Sequence, residues 1–239
     1  MFHIRQASKI IFTGKEGSGK SLRLAFLARV VLDNNIYWKG ITGKSRPIYT
    51  NMLFSDEYKK RASDNGIKVI EWQKLSSLVG LTGCDVFIDE IGIYFDSRLW
   101  AELPLAVRHW IAQCDKNGVN IYGTAQGFDQ IDNSFRRLVT KLYHVNKVVG
   151  SSRPHPTYPP VKYPWGVFFT RDIPPADYKA KDPTLVAKGW PSVFLLSKQD
   201  YGVYNTNQKV EWVKDRECEH EVWKCSTEGC GYIRVKHSV

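Results

Sequence analysis

Short apolar runs alternate with longer segments of helical spacing along the first 140 residues. Residues 7–13 predict a short buried strand that enters a glycine-rich turn. The apolar run at 84–88 ends in Asp89-Glu90, which is typical of a strand buried on both faces. From Ser21 onward, apolar residues recur at intervals that predict a helix. Further strands are predicted at 45–51, 67–70 and 119–124, and further helices at 103–114 and 130–138. Strands that alternate with helices predict an α/β fold, in which helices flank a mostly parallel central sheet.

The pattern changes after about residue 150. Residues 151–164 are rich in Pro and Ser and predict a surface excursion, after which short strands are predicted at 167–170 and 192–196. A cysteine-rich tail begins near Asp215. We therefore predict three parts, which are a core at 1–150, a Pro-rich excursion with a C-terminal extension of that core at 151–215, and a small tail at 216–239.

Composition narrows the class of protein. The 239 residues include 34 Lys+Arg and 24 Asp+Glu, which give a net charge of +10. The 8 Trp, 12 Tyr and 11 Phe exclude an intrinsically disordered chain. No uninterrupted apolar stretch approaches the length of a membrane-spanning helix, and the first residues lack the apolar segment of a secretory signal. We expect a soluble, cytosolic protein. The positive charge is compatible with a polyanionic partner but does not by itself require one.

Residues 14–21 fit the phosphate-binding pattern G-x-x-x-x-G-K-[ST]. In this pattern glycines let backbone N–H groups converge on phosphate oxygens, beside the positive end of the following helix. Lys20 is expected to reach the β- and γ-phosphates of ATP, and the Ser21 hydroxyl is expected to bind Mg²⁺. The motif follows a predicted strand and opens a predicted helix, which supports this interpretation. The predicted nucleotide-binding residues are Gly14, Lys15, Glu16, Gly17, Ser18, Gly19, Lys20 and Ser21.

An acidic pair ends the apolar run at 84–88. Asp89 is predicted to hold Mg²⁺ together with Ser21, and Glu90 to orient or deprotonate the attacking water. A kinase needs no water-activating acid, so the pair favours ATP hydrolysis over phosphoryl transfer to a metabolite. Gln126 follows the strand predicted at 119–124, at the edge where open parallel sheets bind ligands, and it is a candidate sensor of the γ-phosphate.

These motifs, in this order, resemble the Zot-like (zonula-occludens-toxin-like) branch of the FtsK/HerA superfamily of P-loop motor ATPases. This branch includes filamentous-phage assembly proteins and viral genome-packaging ATPases. The resemblance covers about residues 7–150 and implies a RecA-like fold with Walker-A roles for Lys20 and Ser21, Walker-B roles for Asp89 and Glu90, and a sensor role for Gln126. It rests on the blocks 14–21, 49–51, 85–98, 103–119 and 126–132.

The resemblance also implies a ring of identical subunits, with ATP at the subunit boundaries and an arginine that reaches across from the neighbour. Arg136 and Arg137 are the candidates, and Arg108 is a third. Such an arginine can contribute about 10³–10⁵ in rate. An exposed Arg-Arg pair is also typical of a solvated helix face, so both interpretations stay open.

Two features depart from the family pattern. Ala125 stands where a threonine commonly precedes the sensor glutamine. The membrane-spanning helix that phage assembly members usually carry is not visible in the sequence, which favours the packaging ATPases over the extrusion proteins.

The stretch 133–171 contains no acidic residue. Its basic side chains predict sequence-independent contacts with phosphates, and its aromatic side chains could stack on unpaired bases of DNA. A solvated positive face with core aromatics is the alternative. The basic residues are Arg136, Arg137, Lys141, Lys147, Arg153, Lys162 and Arg171.

The tail offers the four ligands that a tetrahedral Zn²⁺ site needs. Cys218, His220, Cys225 and Cys230 are the predicted ligands, and His237 is an alternative fourth. So short a segment cannot bury a core and needs a structural metal to fold. Free thiols in a frayed tail are the alternative.

Taken together, the sequence predicts an ATP-hydrolysing motor that translocates DNA, most consistent with a viral or phage genome-packaging ATPase. Expected cofactors are ATP, Mg²⁺ and a structural Zn²⁺. Expected partners are DNA, further copies of the chain, and capsid or portal-like vertex proteins, in the host cytoplasm or at the packaging vertex of the virion. The alternatives are a Zot-like assembly ATPase recruited to a membrane by a partner, and a nucleotide-dependent DNA-binding protein that does not translocate. A small-molecule kinase lacks support because no acceptor-pocket motif is visible.

Overall fold

A computed structural model describes residues 8–98, 103–149, 166–178, 188–196 and 203. Eight strands of these residues form a single sheet. In chain order they are β1 (Lys9–Thr13), β2 (Ile48–Thr50), β3 (Val69–Glu71), β4 (Asp85–Ile88), β5 (Asn120–Ala125), β6 (Lys141–Val149), β7 (Gly166–Ile173) and β8 (Lys188–Leu196). The helices are α1 (Lys20–Thr42), α2 (Asp56–Asp64), α3 (Ile91–Tyr94), α4 (Leu105–Gln113) and α5 (Asn133–Arg136), with 3₁₀ turns at Leu75–Leu78, Phe128–Gln130 and Pro175–Asp177.

The strands lie in the order β3-β2-β4-β5-β1-β6-β7-β8. All pairs from β3 to β6 are parallel, and β7 and β8 extend the sheet in antiparallel pairing. The predicted α/β fold with a mostly parallel sheet is therefore confirmed. β5 lies between β1 and β4, so the carboxyl ends of these three strands meet at one edge.

Neighbouring residues of the central strands point to opposite faces of the sheet and build two separate cores. On one face, Ile11 and Val86 pack with Val107 and Ile111 of α4. On the other face, Phe12, Phe87 and Tyr122 pack with α1 and α2, and the rings of Phe87 and Tyr122 stack at 4.8 Å. Because both faces are covered, both kinds of strand position are apolar, which explains the continuous apolar runs in the sequence.

Glycines mark both ends of α1. Gly19, with a φ of 92°, precedes the first helical residue, and Gly43, with a φ of 70°, follows the last. The N–H of Gly43 donates to the carbonyl of Lys39 at 2.8 Å, which satisfies one of the carbonyls left free at the helix end. No helix of the described residues is long and apolar enough to cross a membrane.

The helix predicted at 130–138 is wrong in extent, because only Asn133–Arg136 is α-helical. Tertiary contacts hold the preceding residues out of a helix. Ile131 forms a β-bridge with Asp96, and the N–H of Asp132 donates to the carbonyl of Phe95 at 2.8 Å. The Asp132 side chain instead caps α5 by accepting from the N–H of Ser134.

Two of the described helices, α2 and α3, and one strand, β6, were not predicted. α2 begins after Ser55, whose hydroxyl accepts from the N–H of Tyr58, a capping signal that is present in the sequence. β6 lies within the acid-free stretch 133–171, where Leu142 and Val145 are buried in the core. The predicted strands at 167–170 and 192–196 are parts of β7 and β8. The tail at 216–239 lies outside the described residues, and the predicted domain boundaries stay predictions.

A buried lysine begins β1, at the end of the strand opposite the phosphate-binding motif. Lys9 has no exposed surface, and its ammonium group donates to the carboxylate of Asp115, whose side chain is 55% exposed. A separate Lys–Asp ion pair, Lys60–Asp64, provides the comparison, because both of its side chains are well exposed.

We predict that Asp115→Ala lowers the free energy of unfolding by about 1–3 kcal/mol, because it leaves a buried ammonium group without its acceptor. Urea unfolding at neutral pH measures the effect. Asp64→Ala should leave the unfolding midpoint nearly unchanged, since exposed ion pairs contribute little. Equal destabilisation by the two substitutions would contradict the prediction.

Candidate nucleotide site

Three strands end side by side at one edge of the sheet. The parallel register pairs Thr13 of β1 with Ala125 of β5, and Ile88 of β4 with Gly123 of β5. The loop 14–21 continues from β1, the acidic pair from β4, and Gln126 from β5. The fold thus brings the three predicted motifs to the same place.

The loop 14–21 is tightly folded around its glycines. A Cβ atom on Gly14 would lie 2.5 Å from the carbonyl oxygen of Val145 and 2.7 Å from Oγ of Ser18, so no larger residue fits there. Lys15, Glu16 and Gly17 are exposed, whereas Ser18 is buried. The Ser18 hydroxyl has no hydrogen-bond partner among the described residues, and a buried polar atom of this kind fits an oxygen-rich ligand such as a phosphate.

Lys20, the first residue of α1, is buried beside the loop. Its ammonium group donates to the carbonyl oxygen of Lys15 at 3.2 Å, across the turn of the loop. Burial lowers the pKa of Lys20, while the nearby carboxylates of Glu90, Asp89 and Glu16 act to raise it. The cation therefore lies among acidic groups at the amino end of a helix, where anions bind favourably.

Ser21 and Asp89 join the loop to β4. The Ser21 hydroxyl donates to Oδ1 of Asp89 at 2.9 Å, and Asp89 is only 8% exposed. Burial raises the pKa of Asp89, while hydrogen bonds from Thr124 and Ser21, and the charge of Lys20, lower it. A hydroxyl beside a carboxylate is a hard oxygen donor set of the kind that Mg²⁺ binds. These residues fit the expected Mg²⁺.

Glu90 has a left-handed backbone, with a φ of 51° and a ψ of 52°. Among the described residues it is the only non-glycine with positive φ. This conformation costs about 1–2 kcal/mol for a residue with a side chain. Burial raises the pKa of Glu90, and the charge of Lys20 opposes that shift. The Glu90 carboxylate and the Lys20 ammonium therefore interact across the site.

Gln126 is exposed directly beyond β5, beside the start of the loop. Two further polar residues, which the motif analysis did not assign to the site, contact the acidic pair. Thr124 on β5 donates from Oγ1 to Oδ1 of Asp89 at 2.6 Å, and the side-chain NH₂ of Asn51, just after β2, donates to the carbonyl of Asp89 at 3.0 Å. A parallel alignment of the predicted strands was the signal that could have found them.

The candidate arginines differ in their surroundings. The guanidinium group of Arg136 lies over the ring of Phe128, with 5.9 Å to its centroid, and the residue is partly buried. Arg137 is exposed at the end of α5, and Arg108 on α4 is partly buried. A role for any of them in a neighbouring active site stays a prediction.

The acid-free stretch 133–171 is only partly described. Its residue Tyr143 stacks on Phe12 at 5.6 Å and belongs to the core, whereas Lys141 is exposed and Arg171 partly buried. Arg153 and Lys162 lie outside the described residues, as do the predicted zinc ligands Cys218, His220, Cys225 and Cys230.

Two cysteines of the described residues lie in the core. In the part of the chain that the structure describes, no cluster of three or more His, Cys, Asp or Glu could hold a metal ion. Cys84 and Cys114 are buried free thiols, and burial raises the pKa of each to about 12. Their interpretation as apolar core residues is confirmed.

Comparison with known proteins gives similarity at the level of structure. No family model and no curated protein matches the sequence. The chain is similar to the N-terminal domain of zonular occludens toxin from Neisseria meningitidis, with 20% identity, a TM-score of 0.53, and coverage of 84% of this chain and 100% of that domain. This similarity shows the fold, in agreement with the α/β architecture that the sequence predicts.

Two other solved structures are more distant. The genome packaging NTPase B204 from Sulfolobus turreted icosahedral virus 2, in complex with AMPPCP, is 14% identical over 70% of this chain and 92% of that one, with a TM-score of 0.41. The flagellar accessory protein FlaH from Methanocaldococcus jannaschii is 13% identical over 77% of this chain and 89% of that one, with a TM-score of 0.42.

The left-handed backbone of Glu90 generates a stability prediction. Glu90→Gly and Glu90→Ala both remove the carboxylate, so the difference between them isolates the backbone conformation. We expect the glycine variant to be more stable than the alanine variant by roughly 0.5–1 kcal/mol, because the strain exceeds the extra unfolded-state entropy of glycine. Denaturant unfolding without nucleotide measures this difference.

The matched control is Glu57, an exposed residue in the first turn of α2. There the order should be reversed, with alanine more stable than glycine, because the backbone is helical. If alanine were more stable than glycine at both positions, Glu90 would not be strained.

Proposed function

We propose that the chain is an ATP-hydrolysing, DNA-translocating motor of the viral or phage genome-packaging kind. The observation that carries the proposal is the 2.9 Å hydrogen bond between Ser21 and Asp89, which joins the predicted phosphate loop to a buried aspartate. The Zot-like fold and the order of the motifs along the chain support the choice of a motor over a metabolite kinase.

ATP binding falls to the loop 14–21 and the first turn of α1. The backbone N–H groups there would bind the phosphates, and Lys20 would exchange its hydrogen bond to the Lys15 carbonyl for contacts with the β- and γ-phosphates. Ser21 and Asp89 would hold Mg²⁺. When bound, Mg²⁺ supplies positive charge that neutralises the oxygens of the transferred phosphate.

Glu90 is the proposed general base. It directly follows Asp89 in the chain, and the charge of Lys20 opposes the rise in the pKa of Glu90, which supports a position near the phosphate loop. Its carboxylate would accept a hydrogen bond from the attacking water and take up the proton as the water attacks. Gln126, exposed at the same edge, would donate its amide N–H to the γ-phosphate or the water and report hydrolysis.

Oligomer contacts and DNA complete the proposal. Arg137 is the favoured candidate for an arginine that reaches a neighbouring site, because it is exposed whereas Arg136 is engaged with Phe128. The net charge of +10 suits a sequence-independent grip on phosphates. Capsid or portal-like vertex proteins are the proposed partners, in the host cytoplasm or at the packaging vertex.

DNA-stimulated hydrolysis is the test of this function. The ATPase rate should rise when single- or double-stranded DNA is added, and native mass should show an oligomer. Glu90→Gln should still bind ATP but lose at least about 10²-fold in turnover, the usual contribution of a positioned acid or base. Glu57→Gln, a change of the same kind on the exposed face of α2, should hydrolyse ATP as the parent chain does.

Each result separates the alternatives. Undiminished hydrolysis by Glu90→Gln would remove Glu90 from the mechanism. Failure of both DNAs to bind at low salt would contradict a translocase. Binding to a hydrophobic partner without DNA stimulation would favour the membrane-recruited assembly ATPase, and DNA binding without oligomerisation or movement would favour the non-translocating protein.

The zinc site of the tail is a separate proposal. Cys218, His220, Cys225 and Cys230 would bind one Zn²⁺ per chain, with His237 as an alternative fourth ligand. Elemental analysis should find one zinc in the purified protein and none in Cys225→Ser. Cys84→Ala, which changes a core thiol, should keep the metal. Metal-free protein with an unchanged tail would contradict this proposal.

A further inference from the structure

An asparagine and a threonine contact the acidic pair from opposite sides. Asn51 follows β2, the neighbour of β4 on one side, and Thr124 belongs to β5, its neighbour on the other side. Both residues are buried, with 9% exposure for Asn51 and none for Thr124. We call these two residues the clamp.

The Asn51 side chain forms the hydrogen bonds that a neighbouring strand would otherwise form with the backbone of Asp89. Its Oδ1 accepts from the N–H of Asp89 at 2.8 Å, and its Nδ2 donates to the carbonyl of Asp89 at 3.0 Å. The strand pairing of β4 ends one residue earlier, at Ile88. Both backbone polar groups of the buried Asp89 are therefore satisfied by one side chain.

Thr124 links the two acidic residues to each other. Its Oγ1 donates to Oδ1 of Asp89 at 2.6 Å and accepts from the N–H of Glu90 at 2.9 Å. The hydroxyl thus uses its donor on the carboxylate and an acceptor lone pair on the backbone.

The clamp fixes the peptide plane between Asp89 and Glu90. The carbonyl at one end of this plane is held by Asn51, and the N–H at the other end is held by Thr124. Because a peptide unit is planar, holding both ends fixes its orientation and restricts the rotations on either side of it. One of these rotations is the left-handed φ of Glu90, which directs where the Glu90 side chain leaves the backbone.

We propose that Asn51 and Thr124 are positioning residues for ATP hydrolysis. They keep Glu90 in its strained conformation and orient the Asp89 carboxylate, without touching the nucleotide. The inference rests on the proposed function of the acidic pair. Partners behind a metal ligand commonly contribute 10- to 100-fold in activity or metal affinity, and we expect effects of that size.

If the clamp had only a structural role, its removal would lower kcat no more than removal of a comparable buried asparagine elsewhere. Asn35 on α1 holds the backbone of Arg46 in the same reciprocal way, with hydrogen bonds of 2.9 Å to its N–H and 2.7 Å to its carbonyl. Asn35 is similarly buried, at 6% exposure, but it lies in the C-terminal half of α1, about four turns from the loop. Asn35→Ala is therefore a matched control for Asn51→Ala.

The experiment compares Asn51→Ala, Asn35→Ala, Thr124→Val and Thr124→Ser with the parent chain. For each protein, kcat is measured with ATP, and affinity for a non-hydrolysable ATP analogue is measured with Mg²⁺ and with EDTA. The thermal unfolding midpoint is recorded alongside.

We expect Asn51→Ala and Thr124→Val to lower kcat by 10- to 100-fold, while affinity in EDTA stays within threefold of the parent because the loop is unchanged. In Thr124→Val the gain in affinity that Mg²⁺ provides should also shrink, since Asp89 loses a donor that orients it. Thr124→Ser keeps the hydroxyl and should restore both quantities. Asn35→Ala should keep kcat within threefold.

The inference is overturned if Asn51→Ala and Asn35→Ala lower kcat equally, or if Thr124→Val retains the parent kcat and Mg²⁺ dependence. Should Asn51→Ala fail to fold, the comparison of Thr124→Val with Thr124→Ser decides the matter by itself. A parent chain that binds the analogue without hydrolysing ATP would refute the proposed function. A hydrolysing parent with unaffected clamp variants would refute only the clamp.

Discussion

The parallel pairing of β5 with β1 on one side and with β4 on the other determines where every candidate group of this chain lies. The phosphate loop and the acidic pair come from strands that do not touch, and β5 holds them one strand apart. At that separation the Ser21 hydroxyl reaches Asp89, and Thr124 on β5 reaches Asp89 as well. Without β5 in this place, the motifs would be present in the sequence but not in one site.

Two charged side chains of the site, those of Asp89 and Lys20, are largely shielded from water. Burial raises the pKa of Asp89 and lowers the pKa of Lys20, so it favours the neutral form of each. Opposite charge and hydrogen bonds counteract this shift, and Thr124 and Ser21 each donate to the same oxygen of Asp89. Preorganised groups of this kind interact strongly with a charged ligand, since little reorientation is needed when the ligand binds.

The parts that the sequence predicts are those governed by local pattern. The loop 14–21, the strand before Asp89 and the helix from Ser21 follow from residue type and spacing alone. The roles of Asn51 and Thr124 depend on the register between strands that are far apart in the chain, which local patterns do not contain. The helix predicted at 130–138 fails for a related reason, because contacts with Phe95 and Asp96 hold Ile131 and Asp132 in extended conformations.

Those same contacts connect the acidic pair to the arginine-bearing helix. α3 begins immediately after Glu90 and ends next to Phe95, whose ring stacks on Phe135 of α5 at 4.8 Å. The carbonyl of Phe95 also accepts from the N–H of Asp132, the residue that caps α5. Closely packed interiors transmit displacements instead of absorbing them. A backbone change at Glu90 is therefore expected to reach α5 through the contacts of Phe95 with Phe135 and Asp132.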